Sequence, residues 1–288
     1  MKKKKQLAIL IPCFNEEVTV GKVVNDFKTV CEGLEAYTTK IYVYDNNSTD
    51  KTAEIARKQG AVVVPEYQQG KGNVVRSMFR DIDADIYVMV DGDDTYSATD
   101  LPRLIEPVER GRADMVIADR LSSTYFAENK RLFHNFGNTL VRWLINFIFR
   151  SDLKDIMTGY RIFSKRFVKS MPVVSTGFEI ETEMSAFALN SHLNVVQMPT
   201  AYKDRPEGSV SKLHTFRDGF RVLRLIFKLS LQYRPLVSYS ILAIFALIFK
   251  LITHVGNYLP TGLFTAGLVL EGTKNYFDQL MEKENNRG

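Results

Sequence analysis

The chain has 288 residues, 45% of them hydrophobic and 25% charged, and carries a formal net charge of +5. That balance excludes a disordered chain, and the length suits one large domain or two smaller ones. Its only cysteines, Cys13 and Cys31, have no CxxC spacing and no histidine cluster beside them, which excludes a disulfide framework and a zinc site and fits a reducing cytoplasmic setting.

The N-terminal run Met1-Lys-Lys-Lys-Lys-Gln6 leads into Leu7–Ile11, too short for a signal sequence core and closed by Pro12. The runs Leu7–Ile11, Ile41–Tyr44, Ala61–Val64, Ile86–Val90 and Met115–Ala118 read as strands with helical segments between them, the rhythm of a mainly parallel α/β sheet. Open sheets of this kind bind ligands beyond the C-terminal ends of their strands. The polar residues collect there: Pro12, Asn15 and Glu16 after the first strand, Asp45-Asn-Asn-Ser-Thr-Asp50 after the second, Asp91-Gly-Asp-Asp94 after the fourth. Thr49 or Asp50 can cap a helix over Lys51–Gln59, whereas Asp45 has no such role. Gly70-Lys-Gly72 is too short for a P-loop and reads as a turn entering a helix, from which Lys71 can reach a phosphate.

Clustered carboxylates at the end of a core strand repel one another and resist desolvation, so they call for a positive partner. Asp91 and Asp93 have the spacing and the oxygen chemistry for a hard divalent cation, magnesium or manganese. The loop is not an EF-hand, because Tyr96 stands at its sixth position and Pro102 at its twelfth. Asp94 and Asp100 read equally well as capping or solvated residues.

Phe133–Phe149, with Trp143, Leu144, Phe147 and Ile148, reads either as an amphipathic element on a lipid path or as core packing. Between Lys203 and Arg234 eight basic residues face three acidic ones, a surplus equal to that of the whole chain. Within Leu213–Leu231, Phe216, Phe220, Leu223 and Phe227 recur at helical spacing with basic residues on other faces, the pattern of a helix lying in a membrane interface. Pro235–Val255 carries a single charge, Lys250, over 21 residues and is expected to cross a bilayer, with Lys250 snorkelling. Residues 257–270 are apolar but short, and suit a re-entrant or interfacial helix or a tilted span.

Taken together and in order, Pro12-Cys-Phe-Asn-Glu16, Tyr44-Asp-Asn-Asn-Ser-Thr-Asp50, Val90-Asp-Gly-Asp-Asp94 and Ala118-Asp-Arg120 resemble family 2 glycosyltransferases with the GT-A fold. Asp155-Ile-Met-Thr-Gly-Tyr-Arg161 and Arg205-Pro-Glu-Gly-Ser-Val-Ser-Lys212 narrow the resemblance to dolichyl- and polyprenyl-phosphate sugar synthases, over about residues 7 to 255. The resemblance implies a GT-A domain at 1–211, an interfacial helix at 212–234 and a membrane region at 235–288. It implies that Pro12, Phe14, Glu16, Asp45 and Asn47 hold the donor nucleotide and that Asp91 and Asp93 carry the metal. Lys71 would bear on the diphosphate, Arg205 and Lys212 on the diphosphate or on the acceptor, and Arg120 and Arg131 would clamp the acceptor phosphate, Arg matching phosphate oxygens two at a time. Asp91, Asp93, Arg120 and Arg205 are thus the expected catalytic set. The sequence departs from the family pattern at Asn46, where a second Asp is frequent, and at Thr95, where dolichol-phosphate mannose synthases often have Gln.

The implied reaction passes a hexose or N-acetylhexosamine from a UDP- or GDP-sugar to a polyprenyl or dolichyl phosphate, with inversion, at the cytoplasmic face of a membrane. No nucleic acid is expected among the partners, the lipid bilayer is, and a homo-oligomer stays open. The competing readings are a family 2 transferase extending a polysaccharide and a non-catalytic membrane scaffold. His134 and His214 read as structural or interfacial.

Overall fold

The computed structural model describes residues 4–122, 132–253 and 259–285. Strands β1 (Lys5–Cys13), β2 (Tyr37–Asp45), β3 (Val62–Pro65), β4 (Ile86–Met89), β5 (Met115–Asp119), β6 (Arg161–Ser164) and β7 (Val195–Pro199) form one sheet in the order β3-β2-β1-β4-β6-β5-β7. All pairs are parallel except those of β6, which runs antiparallel between β4 and β5. The five strands expected from sequence are present. The two additional ones were masked by polar content: β6 opens on Arg161, and β7 is only partly buried and carries Gln197.

Alternation along the central strands divides the core. Leu7, Ile9, Ile11, Ile86, Val88 and Val90 face one layer, where helices α1 (Val20–Glu32), α2 (Thr52–Lys58) and α4 (Leu101–Glu109) pack; Ala8, Leu10, Tyr87 and Met89 face the other. That second layer holds α3 (Lys71–Asp81), α5 (Leu132–Phe149), α6 (Lys165–Ser170) and α7 (Ile180–Asn190). The chain builds β1, β2 and β3 outward in one direction, then returns to place β4 on the opposite side of β1. The switch point therefore lies between β1 and β4, where a crevice opens at the strand ends.

Helix α8 (Thr215–Tyr233) shows three stripes set about 100° apart by the helical period. Asp218, Val222, Ile226 and Leu229 are buried against the domain; Phe216, Phe220, Leu223 and Phe227 are exposed, Phe216 to 83%; Arg217, Arg221, Arg224 and Lys228 form the third, also exposed. The apolar outer face that the sequence suggested is present, and a second apolar side of the same helix packs on the domain. The stretch in α5 divides likewise: Ile148 is buried and Leu144 packs on the core, while Trp143 and Phe147 are exposed and stack on each other at 5.5 Å.

Helix α9 (Pro235–Thr253) is long and apolar enough to cross a membrane, by length and composition, over Pro235–Ile252, and it is the one such helix among the described residues. From Leu259 on, the second apolar segment forms the first half of α10 (Leu259–Asn285), which runs on into the polar tail and packs against α9. Gly267 permits that approach, since a Cβ there would lie 2.8 Å from Tyr239 Cβ. Glu271 Oε2 accepts from the Leu236 amide at 3.1 Å, satisfying one of the free N–H groups at the start of α9.

Candidate active site

The loops after β1 and β2 are laced together. Asn15, at φ 53°, donates its amide to Ser48 Oγ and accepts from the Thr49 amide, while the Glu16 amide donates to Thr52 Oγ1 at 2.8 Å. Asn tolerates this left-handed conformation better than most residues, which lets the loop turn back toward β2. Asp50 Oδ1 accepts from the Thr52 amide at 2.9 Å, so Asp50 rather than Thr49 caps α2. Asn46 joins the loop after β3: its side chain donates to the carbonyls of Glu66 and Gln68 and accepts from the Gly70 amide at 2.7 Å. An aspartate there could not make both donations, so the departure noted at Asn46 has a structural role.

The charged groups at the end of β4 are paired. Lys71, at the start of α3, is buried between Asp91 and Glu181, 2.6 Å from the latter. Burial alone would lower the Lys71 pKa, but the two carboxylates hold it above the ordinary lysine range. Asp93 meets Arg205 at 2.5 Å and accepts from the Thr95 hydroxyl at 2.6 Å. The Thr95 amide donates to the same oxygen at 3.2 Å, so Thr95 holds Asp93 through both groups. Glu16 receives Lys212 at 2.9 Å and Arg205 at 3.4 Å, so that Asp93, Arg205, Glu16 and Lys212 form a line of alternating charge. Asp94, at φ 59°, is paired instead with Lys22 and Lys203.

Asp155-Ile-Met-Thr-Gly-Tyr-Arg161 lies directly beneath. Gly159 leaves room for the Asp91 carboxylate, as a Cβ there would come within 2.0 Å of Oδ2. Arg161, fully buried, donates to the carbonyls of Ile156 and Thr158 and to Ser185 Oγ, and burial pulls its pKa down to about 10. Asp155 takes Arg120 through two contacts, at 2.8 and 3.1 Å.

These elements enclose a cavity of about 670 Å³. Pro12, Phe14, Glu16, Lys71, Asp91, Asp93, Arg205 and Lys212, all expected from sequence, line it. Others expected there do not. Arg120 is buried, pairs with Asp155 and lies over the Tyr202 ring, outside the residues that line the cavity. Asn47 is exposed, with Asn46 taking its place in the wall. Asp45 ends β2 beside the cavity with a buried Oδ1 that has no hydrogen-bond partner. Arg131 lies outside the described residues. Sequence reading missed Glu181, whose link to Lys71 spans 110 positions, and Gly177, Phe178, Arg217 and Arg221 at the far end of the cavity.

The donor set suits a hard divalent cation. Asp91 and Asp93 offer only oxygen on one turn of the wall, and burial and then Asp91 hold Asp93 above the usual carboxylate range even with Arg205 beside it. Among the described residues no group of three or more His, Cys, Asp or Glu stands ready for a metal, so further ligands would come from a bound diphosphate and water. Cys13, on the same wall, is pushed far above the ordinary thiol range by burial and then by the surrounding carboxylates, which favours the neutral thiol.

Comparison with known proteins agrees with this layout. Residues 8–172 match the model of the family described as glycosyl transferase family 2. The glycosyltransferase AglJ of Haloferax volcanii is 35% identical over 81% of this chain and 75% of its own. The dolichyl-phosphate hexose transferase of the same organism is 29% identical over 79% of this chain and 95% of its own. Among solved structures, glucosyl-3-phosphoglycerate synthase of Mycobacterium tuberculosis, in complex with Mn2+, UDP-glucose and phosphoglyceric acid, superposes with a TM-score of 0.62 at 18% identity, covering 78% of this chain and 80% of that one. At that identity the likeness concerns the fold.

Proposed function

Since the chain belongs to glycosyl transferase family 2 and is a glycosyltransferase drawing on a nucleotide sugar, we propose that its acceptor is a polyprenyl or dolichyl phosphate and that transfer inverts the anomeric carbon. One observation carries this reading: a single cavity runs from the Asp91–Asp93 turn to the first turns of α8, the amphipathic helix directly before the apolar helix α9. A lipid-borne phosphate reaches a site above a bilayer only where the catalytic domain lies against the headgroups. The exposed Phe and Arg stripes of α8 suit that posture. The dolichyl-phosphate hexose transferase among the relatives supports the acceptor class.

Asp91 and Asp93 would hold the cation, magnesium or manganese, which when bound neutralises charge on the departing diphosphate; the Mn2+–UDP-glucose complex of the structural neighbour supports this assignment. Pro12, Phe14, Glu16 and Asp45 line or flank the nucleotide end. Lys71, fixed by Glu181, holds the Asp91 carboxylate in place. Arg205 and Lys212, now compensating Asp93 and Glu16, turn their donors to the diphosphate when the donor binds. The acceptor phosphate is anionic near neutral pH, by analogy with monoesters whose second pKa is about 6, so its attack needs no strong general base. The protein contributes position and charge neutralisation. The catalytic domain is placed on the cytoplasmic face, where nucleotide sugars are made.

The test is a panel of UDP-glucose, UDP-N-acetylglucosamine and GDP-mannose incubated with undecaprenyl phosphate or dolichyl phosphate and Mn2+. Mass analysis of the lipid extract is expected to show one sugar-phosphate lipid. Label appearing in soluble glycan instead would overturn the acceptor assignment.

A further inference from the structure

The part of the cavity wall that α8 supplies is basic. Arg217 and Arg221 stand one turn apart on α8 and both line the cavity, with Gly177 and Phe178 facing them. Glu179, beside Gly177, accepts from the Thr176 and Gly177 amides through Oε1; the carboxylate in ion-pair range of the two guanidinium groups is Asp218, which is 3% exposed and already engaged: its Oδ2 accepts from the His214 amide at 2.8 Å, fastening the first turn of the helix. Its Oδ1 lies 3.8 Å from Arg217 Nε and 3.6 Å from Arg221 Nη1, too far for hydrogen bonds. Neither guanidinium makes a side-chain hydrogen bond to any described residue, whereas Arg205 and Lys212 at the other end are held at 2.5 and 2.9 Å. Two planar donor forks thus face a cavity with their N–H groups unspent, on the element that carries the domain to the bilayer.

Position decides between a specific site and a general basic surface. Arg224 and Lys228 continue the same stripe along α8 but do not line the cavity. Gly177 also matters, because a Cβ there would come within 3.4 Å of Arg221 Nη1 and 2.7 Å of Glu179 Oε2. The missing side chain lets the guanidinium lie across the 175–178 turn at the cavity wall.

The geometry points to Arg217 and Arg221 as the subsite for the acceptor's phosphate group, presenting it to the sugar at the Asp91–Asp93 end. This rests on the reading of the acceptor given above and adds α8 to the elements that would hold the phosphate. The chemistry recognised is a phosphate monoester dianion, borne either by a lipid or by a small soluble molecule.

The experiment uses the full-length protein in detergent, comparing wild type with Arg217→Gln, Arg221→Gln, the double variant, Arg221→Lys, and Arg224→Gln as a control on the same stripe. The KM for undecaprenyl phosphate is expected to rise about tenfold for each single Gln variant and more for the double, with the donor KM unchanged. Arg221→Lys recovers part of the loss. Glycerol 3-phosphate, followed by titration with UDP and Mn2+ present, is expected to bind wild type and to bind the double variant at least about tenfold more weakly. If Arg224→Gln raises the acceptor KM as much as Arg221→Gln does, and glycerol 3-phosphate binding is the same in wild type and double variant, the stripe is a bilayer contact and the subsite is overturned. Transfer by wild type to glycerol 3-phosphate but to no lipid phosphate would instead overturn the lipid acceptor, and the titration would still decide the subsite.

Discussion

The two ends of the cavity are built on different electrostatic plans. At the donor end Lys71, Asp91, Asp93, Arg205, Glu16 and Lys212 each have an opposite charge within 3.4 Å, whereas at the helical end Arg217 and Arg221 keep 3.6 Å or more from Asp218. The donor end is largely buried, and ion pairs there are favourable only because each carboxylate finds a cation. It is a site whose charges have been provisionally neutralised by the chain itself, in the arrangement that a cation and a diphosphate would take over. The helical end is solvated and holds its donors in reserve.

The largest effect is expected from breaking the donor end at its metal-facing carboxylate. Asp93→Ala is expected to lower metal-dependent transfer by about a thousandfold or more while the circular dichroism spectrum stays that of wild type. Retention of full activity in the purified enzyme would remove Asp93 from the cation site. Lys71→Met attacks the pairing rather than the metal. It leaves Asp91 and Glu181 facing each other without their cation, and unfolding in denaturant should show a loss of about 3–5 kcal/mol. Lys71→Met combined with Glu181→Gln should recover part of that, because only one buried carboxylate then lacks a partner.

Gly159→Ala tests how finely the donor end is set. The added methyl must displace the Asp91 carboxylate, and a shift of about 1 Å at such a group lowers turnover by about a hundredfold. The secondary structure is expected to persist; an alanine variant with wild-type kcat would mean that Asp91 has slack the packing does not suggest.

The difference between the ends also explains what could be read from sequence. The donor end was legible because its parts are short, local and attached to strand ends: Pro12–Glu16 after β1 and Asp91–Asp94 after β4 are brought together by parallel pairing alone. Its supports were not. Glu181 reaches Lys71 from a helix 110 positions away, and Gly159 is required only because Asp91 happens to lie over it. The pairing of Arg120 with Asp155, 35 positions on, was equally invisible. For α8 the 3.6-residue period exposed the apolar stripe at once. It could not tell that a second apolar stripe, Val222, Ile226 and Leu229, faces inward, because a helix with two apolar sides and a basic third reads as one amphipathic pattern.

That division of α8 gives the mildest and most selective prediction. Ile226 is buried in the core that α8 shares with α5 and α7, and Ile226→Ala is expected to destabilise the protein by about 2–4 kcal/mol. Phe220, 69% exposed on the neighbouring stripe, touches no such core, so Phe216→Ser with Phe220→Ser is expected to leave thermal unfolding in detergent within about a degree of wild type. What the pair should change is association with anionic vesicles. Burying a Phe side chain is worth about 1.5–3 kcal/mol, and partial burial of two at a headgroup boundary should make loss of both at least about tenfold in partitioning. Flotation of the protein with phosphatidylglycerol vesicles measures it, and the assay is best run with residues 235–288 removed as well as present, provided that the shortened protein retains its wild-type unfolding transition. If the serine variant floats as wild type does in the shortened protein, the apolar stripe is not what holds this domain to a bilayer, and the anchoring would fall to α9 alone.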